Sequence, residues 1–258
     1  METQFFAFCQ MQELETVRSG EIAKAFNLSP KQERDLFYRL THDGWIIRLR
    51  RGLYLVPRKL PPGGRWMPDE ALVLAKLMDD CDGRYQLCGP NAFHFWGFDE
   101  QLPNRVYVYN NQLSGERTIG VLSFTFIKVG SSRLGASEEE MTAAGVPLIV
   151  GSKARTLMDA VYDWKRFDGI PRAYRWIQKE LQKTSNLAED LSEVCLRYGN
   201  QGTIRRIGYL LKTSGASDRL LRSLGGKLRS ANSLVSFVPE LPRRGPIDRD
   251  WGIVANDV

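Results

Sequence analysis

The sequence has little cysteine and histidine, and it lacks the motifs that most metal-dependent and nucleotide-dependent enzymes need. Among its 258 residues are four cysteines, too few for a disulfide scaffold in a chain of this length. The two histidines and the absence of Cys-x-x-Cys or His-x-x-x-His spacing argue against a zinc site. There is no Gly-x-x-x-x-Gly-Lys and no Gly-x-Gly-x-x-Gly segment, so we expect no phosphate-binding loop of those classes.

Long apolar runs are also absent. No run approaches the roughly 18 to 20 residues that span a bilayer, and the first residues are acidic where a signal peptide is basic. We therefore expect no membrane partner and a cytoplasmic location. With 43% hydrophobic and 26% charged residues, the composition excludes disorder, collagen and coiled coil for the whole chain and predicts one large domain or two ordinary ones.

The net charge of +6 is unevenly distributed. Residues 1–59 carry a net charge of +3, residues 60–196 a net charge of −3, and residues 197–258 a net charge of +6. Locally concentrated positive charge attracts polyanions more strongly than the same charge spread evenly. The basic ends therefore favour a nucleic-acid partner, with solvated helix faces as the alternative.

Turn and capping residues divide the N-terminal segment into three predicted helices. The first is compatible with residues 5–16, and a short second helix is expected over 19–26, with Ser19 as its N-cap. The third, over 30–43, has a strong start, because Ser29 is a preferred N-cap, proline follows it, and Gln32 can complete a capping box. Two strands over 45–49 and 53–56 follow, and three helices with a hairpin are typical of a winged helix-turn-helix.

The predicted third helix has two distinct faces. At 100° per residue, Leu36, Phe37 and Leu40 fall on one side and form the expected buried stripe. The opposite face carries side chains able to enter a major groove, and the hairpin that follows is rich in arginine. The predicted DNA-binding residues are Lys31, Arg34, Tyr38, Arg39, His42, Arg48, Arg50 and Arg51.

Two observations leave an alternative open for this surface. Asp35 lies among the outward residues of the third helix, and arginines on a hairpin are often simply solvated. A winged helix used for protein contact is therefore the second interpretation, with DNA binding favoured by the arginines of the wing.

A cluster of three prolines and two glycines over residues 57–66 predicts a domain boundary. We therefore expect a winged helix-turn-helix domain over 1–58, a linker over 59–67 and a C-terminal domain over 68–258. The C-terminal segment shows strand patterns at 105–110, 118–129 and 146–150, and the last of these leads into a helix capped by Ser152. The last third of the segment is mostly helical. The expected fold class is α+β, with a winged helix followed by a mixed α/β domain that ends in helices.

The predicted C-terminal helices carry a second basic cluster. Its two interpretations are a second phosphate-contacting surface and a helical face that is solvated or packed on the acidic middle segment. The candidate residues are Arg205, Arg206, Arg222, Lys227 and Arg229.

Carboxylate patterns do not make a convincing catalytic site. Asp159 and Asp163 are spaced i, i+4 on a predicted helix, whereas a nucleotidyltransferase needs two carboxylates on one strand to hold Mg²⁺. His94 lies among aromatic residues and is expected to be a core or boundary residue. We therefore predict that the protein is not an enzyme and needs no cofactor or metal, and an enzyme acting on nucleic acid is the least favoured hypothesis.

Several segments, in order along the chain, resemble the AbiEi family of antitoxins. They are Gly20–Ala23, Arg39–Ile46 and Arg50–Tyr54 in the N-terminal part, then Tyr85–Ala92, Trp96–Phe98, Gly151–Ala160 and the tail Leu241–Asn256. The resemblance implies a prokaryotic regulator of a type IV toxin–antitoxin and phage-defence operon. In that family the winged helix represses the operon by binding inverted repeats in its promoter.

The resemblance also implies partners. The C-terminal domain would counteract a nucleotidyltransferase toxin of the AbiEii type without a stable complex, and the protein would be cytoplasmic and associated with the nucleoid when bound to DNA. The alternative is a winged-helix module that neutralises a partner protein directly, without specific DNA binding. The resemblance assigns no residues to the antitoxic activity.

Overall fold

The computed structural model describes residues 1–60, 65–143, 145–228 and 234–256, which form two compact units. The first unit contains Met1–Tyr85, Asn104–Val129 and Glu139–Leu148. The second unit contains Gln86–Pro103, Gly130–Glu138 and Ile149–Val258. The predicted linker over 59–67 falls partly on residues 61–64, which lie outside the described residues, and the predicted boundary there stays a prediction.

The first unit begins with three helices and a three-stranded sheet. The sheet has the order β1-β3-β2, and both pairings are antiparallel. This is the winged helix-turn-helix arrangement, with an additional strand before the second helix. The elements are α1 Glu2–Met11, β1 Thr16–Arg18, α2 Glu21–Phe26, α3 Pro30–His42, β2 Ile47–Arg50 and β3 Leu53–Leu55.

The start of α3 is as predicted from the sequence. The Ser29 side chain accepts a hydrogen bond from the Gln32 backbone, and the Gln32 side chain accepts one from the Ser29 backbone at 2.8 Å. The predicted buried stripe is also confirmed, since Leu36, Phe37 and Leu40 are almost fully buried. They pack in one core with residues of α1, α2 and the sheet, where the ring of Phe37 stacks on that of Tyr54 at 4.3 Å.

Two local predictions for this region were wrong. The first helix ends at Met11, and the residues that follow Leu14 join the sheet as β1, because Val17 pairs with Tyr54 and is fully buried. Ser19 does not cap α2. The N-cap is Gly20, which has a φ of 96° and no side chain to offer.

After β3 the chain contributes elements to both units, and those in the first unit include a parallel and an antiparallel strand pair. β5 pairs with β7 in parallel from Val106 opposite Phe124, and β6 pairs with β7 in antiparallel orientation. The elements that follow β3 are α4 Glu70–Asp80, β4 Tyr85–Leu87, α5 Gly89–Phe95, β5 Val106–Asn110, β6 Gly115–Ile119, β7 Leu122–Lys128, a 3-10 turn Ser131–Arg133, β8 Ser137–Met141 and β9 Pro147–Gly151. The chain passes from one unit to the other within three of these strands, β4, β8 and β9.

The single long strand predicted over 118–129 is a hairpin. The chain turns at Gly120, which has a φ of 60°, and the residues on either side form β6 and β7. The alternation of apolar and polar residues continues through such a tight turn, so the turn at Gly120 was not visible in the sequence.

The second unit is mostly helical, and its helices after β9 confirm the prediction that the last third of the C-terminal segment is mostly helical. Its described helices after β9 are packed mainly on α6, which contacts α8, α9 and α10. Ser152 caps α6 by accepting from the backbone of Arg155, which confirms the predicted start of this helix. The elements are α6 Lys153–Tyr162, α7 Trp164–Phe167, α8 Arg172–Leu181, α9 Leu187–Tyr198, α10 Gln201–Thr213, α11 Asp218–Gly225, β10 Val235–Ser236, β11 Ile247–Asp248 and β12 Ile253–Val254.

A buried ion network lies at the centre of the second unit. Arg155 on α6 has no exposed surface, and its Nε donates to Asp159 at 2.8 Å. Its two terminal nitrogens donate to the carbonyl oxygens of Gly135 and Arg133, at 2.9 and 2.7 Å. Asp159 also pairs with the Arg133 side chain, and the Arg155 guanidinium lies 4.2 Å from the Tyr198 ring centroid. Asp159 therefore forms ion pairs with two arginines of the same unit.

The C-terminal tail packs against α10 through a glycine. A Cβ atom on Gly208 would lie about 2.1 Å from the Trp251 indole, so only glycine permits this contact. Trp251 is buried as a result.

Candidate nucleic-acid interface

The predicted groove-facing residues of α3 lie on one exposed face. Lys31, Arg34, Tyr38, Arg39 and His42 are all exposed, and Tyr38 retains 72% of its surface. An unburied tyrosine at the centre of such a face needs a reason, since aromatic side chains are usually at least partly covered. Its ring lies beside the His42 ring, with centroids 6.1 Å apart.

Two of these side chains also have partners within the first unit. The Nε of Arg39 lies 3.4 Å from a carboxylate oxygen of Glu2, and His42 Nδ1 lies 3.1 Å from Asp43. Both contacts are exposed, and pairs of this kind contribute little and exchange readily for other partners. They leave Arg39 and His42 accessible.

The wing carries three exposed arginines in two different situations. Strand β2 alternates buried and exposed residues, so Arg48 and Arg50 both point away from the core. A register shift between them marks a β-bulge, and Gly52 makes the turn with a φ of 76°. Arg50 is paired with Asp80 at the end of α4, whereas Arg51 has no such partner among the described residues.

Asp80 is the centre of an ion cluster on α4. Its side chain is almost completely buried, and it accepts from Arg50 and, at 2.6 Å, from Arg18. The hydrogen bond from Arg50 lowers the pKa of Asp80 below its ordinary value, against the opposing effect of burial. A second cluster joins Glu15 to Arg58 and to Lys76 of α4. Arg50 therefore ties the wing to α4, a role that its sequence position did not reveal.

The cations that remain available for a phosphate are those without ion pairs. Within the part of the chain that the structure describes, four of the seven basic residues in the predicted set form no ion pair: Lys31, Arg34, Arg48 and Arg51.

The helix-turn-helix geometry depends on a residue that the sequence analysis missed. Glu33 faces inward on α3, and its carboxylate accepts from the backbone N–H groups of Gly20, at 2.9 and 3.0 Å, and of Ala23, at 2.9 Å. It therefore caps α2 from a neighbouring helix, where Gly20 has no side chain to do so. The sequence did contain a signal for this role, because Glu33 is a charged residue three positions before Leu36 and therefore falls on the buried stripe of the helix.

Replacing Glu33 with glutamine is expected to lower the free energy of unfolding by about 1.5 to 3 kcal/mol, because an amide accepts fewer of the three hydrogen bonds and has no charge to offer the helix N-terminus. Chemical denaturation followed by circular dichroism measures the effect. Asp35→Asn on the exposed face of the same helix is the matched control and should change stability by less than about 0.5 kcal/mol. Equal effects of the two substitutions would contradict the capping role.

Asp80→Asn gives a second test, through pH. A carboxylate whose folded-state pKa is lowered stabilises the fold fully above its unfolded pKa of about 3.9, and this contribution is lost as the pH falls through the lower folded-state value. The stability difference between wild type and Asp80→Asn should therefore be constant from about pH 6 to 8 and shrink below about pH 4. Urea denaturation across this range checks it, and a difference independent of pH would show that Asp80 does not stabilise through its charge.

The candidate second basic surface needs correction. Arg205 and Arg206 are buried, and the Nε of Arg206 donates to the Ser236 carbonyl oxygen at 3.1 Å. Both are buried because the C-terminal strands cover this side of α10. A count of charges along the sequence could not show this packing. Arg222 and Lys227 are exposed, and Arg229 lies outside the described residues.

The carboxylates and histidine considered for catalysis are dispersed. His94 is half-buried, with Nδ1 3.3 Å from the Asp99 carbonyl oxygen, and Asp159 is buried in ion pairs with Arg133 and Arg155. Within residues 1–60, 65–143, 145–228 and 234–256, no group of three or more His, Cys, Asp or Glu side chains is placed to hold a metal ion. Burial raises the pKa of the Cys9 thiol to about 11.

Comparison with known proteins bears directly on this region. Residues 9–57 match the AbiEi_4 family model, described as "Transcriptional regulator, AbiEi antitoxin". The matched segment contains α2, α3 and both strands of the wing, so the resemblance inferred from the sequence is confirmed there. No curated protein matches the chain.

A solved structure has a similar fold over nearly the whole chain. The crystal structure of the RV2827C protein from Mycobacterium tuberculosis aligns with a TM-score of 0.59 and 16% sequence identity, covering 97% of this chain and 89% of that one. At this identity the likeness establishes the fold alone. No described helix is both long and apolar enough to cross a membrane.

Proposed function

We propose that the protein is a DNA-binding transcriptional repressor that regulates its own operon and acts as the antitoxin of a nucleotidyltransferase toxin of the AbiEii type. The observation that carries the proposal is the exposed face of α3 beside an arginine wing, within a segment that matches a transcriptional-regulator family. The proposal places the protein in a prokaryotic cytoplasm, on the nucleoid when bound, and includes no catalytic step and no cofactor.

Recognition would divide between the two elements. The α3 face would enter a major groove, where Lys31 and Arg34 donate to base edges or phosphates and Tyr38 makes apolar or hydrogen-bonded contact. Arg48 and Arg51 of the wing would contact phosphates or a narrow minor groove. Inverted repeats in the promoter are the expected operator.

A gel-shift titration on the upstream promoter at several salt concentrations tests the proposal. Specific binding that weakens steeply with salt is expected, since each neutralised phosphate contributes about −0.9 to the log–log slope. A scrambled sequence of equal length is the control. The absence of binding to the promoter even at low salt would contradict it.

The antitoxin part has a separate test. Co-expression with a nucleotidyltransferase encoded next to this gene should restore growth that the toxin alone arrests, and pull-down should recover no stable complex. Recovery of a tight complex together with no promoter binding would favour the second candidate, a winged-helix module that neutralises a protein directly. The observation that favours this second candidate is Asp35, a negative charge that is exposed among the cations of α3.

A further inference from the structure

The second unit contains a cleft with an unusual lining. It has a volume of about 430 Å³, which is within the range of small-molecule sites. Aromatic and basic side chains line it together, while its apolar surface is limited. The residues that matter are Trp96, Phe98 and Trp176, and Lys153, Lys179 and Lys183.

A buried carboxylate holds two of the three lysines at the wall of this cleft. Glu180 is nearly buried and accepts from Lys183 at 2.8 Å and from Lys153 at 3.1 Å. The hydrogen bond from Lys183 lowers the pKa of Glu180, so the carboxylate stays ionised at neutral pH. Lys179 is exposed and forms no ion pair within the described part of the chain. Three ammonium groups against one carboxylate leave an excess of two positive charges.

The aromatic wall is fixed in place. The indole nitrogen of Trp96 donates to the Gly151 carbonyl oxygen at 2.8 Å, and the Lys153 ammonium lies 5.6 Å from the centroid of the same ring. Phe98 and Trp176 stack with centroids 5.7 Å apart and an interplanar angle of 17°. Trp96 is only half-buried, and it lines the cleft.

A neighbouring cavity of about 510 Å³ has an acidic lining, which disfavours a ligand with several phosphates that extends into it. It shares Trp96, Lys153 and Thr184 with the first cleft, but its lining also includes Glu138, Asp190 and Glu193. A nucleic-acid strand passing through both cavities would bring a phosphate against three carboxylates. The charge distribution therefore suits a single phosphate at the basic end.

We infer that this cleft binds one nucleoside phosphate, with the phosphate on Lys179 and Lys183 and the base against Trp96. An aromatic ring together with ammonium groups is the combination that proteins use to hold a base and its phosphate. The ligand is either a free mononucleotide or the terminal nucleotide of an RNA, since both present the same chemistry. The residues of this site belong to the second unit, and the inference does not depend on the proposed repression.

Isothermal titration calorimetry on the full chain tests this inference. The four ribonucleoside 5′-monophosphates, a short single-stranded RNA with a 3′-terminal phosphate, ribose 5-phosphate and inorganic phosphate are titrated separately. We expect a nucleoside monophosphate to bind at least about tenfold more tightly than ribose 5-phosphate, because only the former offers a base to Trp96. Tighter binding of the RNA end than of any free nucleotide would identify the RNA as the source.

The residue assignment is tested with charge reversal. Lys179→Glu, at a side chain with no structural ion pair, should weaken nucleotide binding at least about tenfold. Lys165→Glu, an exposed lysine of the same unit outside both cavities, is the matched control and should leave binding unchanged. Thermal unfolding of both variants shows whether the fold is retained.

Three results would overturn the inference. These are no binding of any nucleotide at millimolar concentration, equal affinity for inorganic phosphate and nucleotides, and equal losses in Lys179→Glu and Lys165→Glu. Should Lys179→Glu unfold, Lys179→Gln removes the same charge without adding a carboxylate, and the expected loss is then severalfold.

Discussion

Replacing Arg155 with methionine is expected to lower the free energy of unfolding by about 3 to 5 kcal/mol, the largest stability effect that we predict for this chain. The side chain is fully buried, and its removal leaves two carbonyl oxygens and part of the Asp159 carboxylate without a donor in the interior. A methionine side chain fills much of the same volume but has no N–H group to donate a hydrogen bond. The cost is therefore the uncompensated burial of polar groups rather than a cavity.

Chemical denaturation of purified wild type and variant measures this effect. Arg166→Met is the matched control, because Arg166 is about half exposed and lies 4.0 Å from Asp163. Its loss should cost less than about 1 kcal/mol. If both substitutions changed stability equally, the buried network would not be what stabilises the second unit.

The largest functional effect is expected from the wing. Replacing Arg48 and Arg51 together with alanine should weaken promoter binding roughly tenfold to a hundredfold and reduce the salt slope by about 1.8, since two phosphate contacts are lost. These two are the arginines of the wing without ion pairs among the described residues, so their removal leaves the Asp80 cluster intact. Binding should weaken on operator and non-operator DNA alike.

Gel shifts or fluorescence anisotropy over a range of salt concentrations provide the measurement. The control is Lys128→Ala with Lys165→Ala, which removes the same charge from exposed sites outside the winged helix. Equal losses in the two double variants would mean that only net charge matters. Tyr38→Ala or Lys31→Ala should instead alter sequence preference, because both side chains are placed on the groove-facing surface.

The sequence predicted the elements of this fold well where they depend on interactions between residues a few positions apart. The capping box at Ser29 and Gln32 and the cap at Ser152 set helix starts, and the buried stripe of α3 followed from helical periodicity. The hairpin at Gly120 and the strand at Val17 were missed. The strand at Val17 depends on pairing with Tyr54, which is distant in sequence and which a local pattern does not encode. The hairpin at Gly120 pairs neighbouring segments, but the alternating pattern continues through its tight turn and so did not show it.

The sequence by itself predicted the three helices and the hairpin of the winged helix, and which side chains of α3 face outward, because capping and periodicity act over a few residues. Only the tertiary structure decided which charges are available. Arg205 and Arg206 are enclosed, Arg50 is held by a carboxylate 30 residues away, and Glu33 caps a helix that it does not belong to. Burial and ion pairing are set by residues brought together through folding, and a count of charges along the chain contains no information on which residues meet.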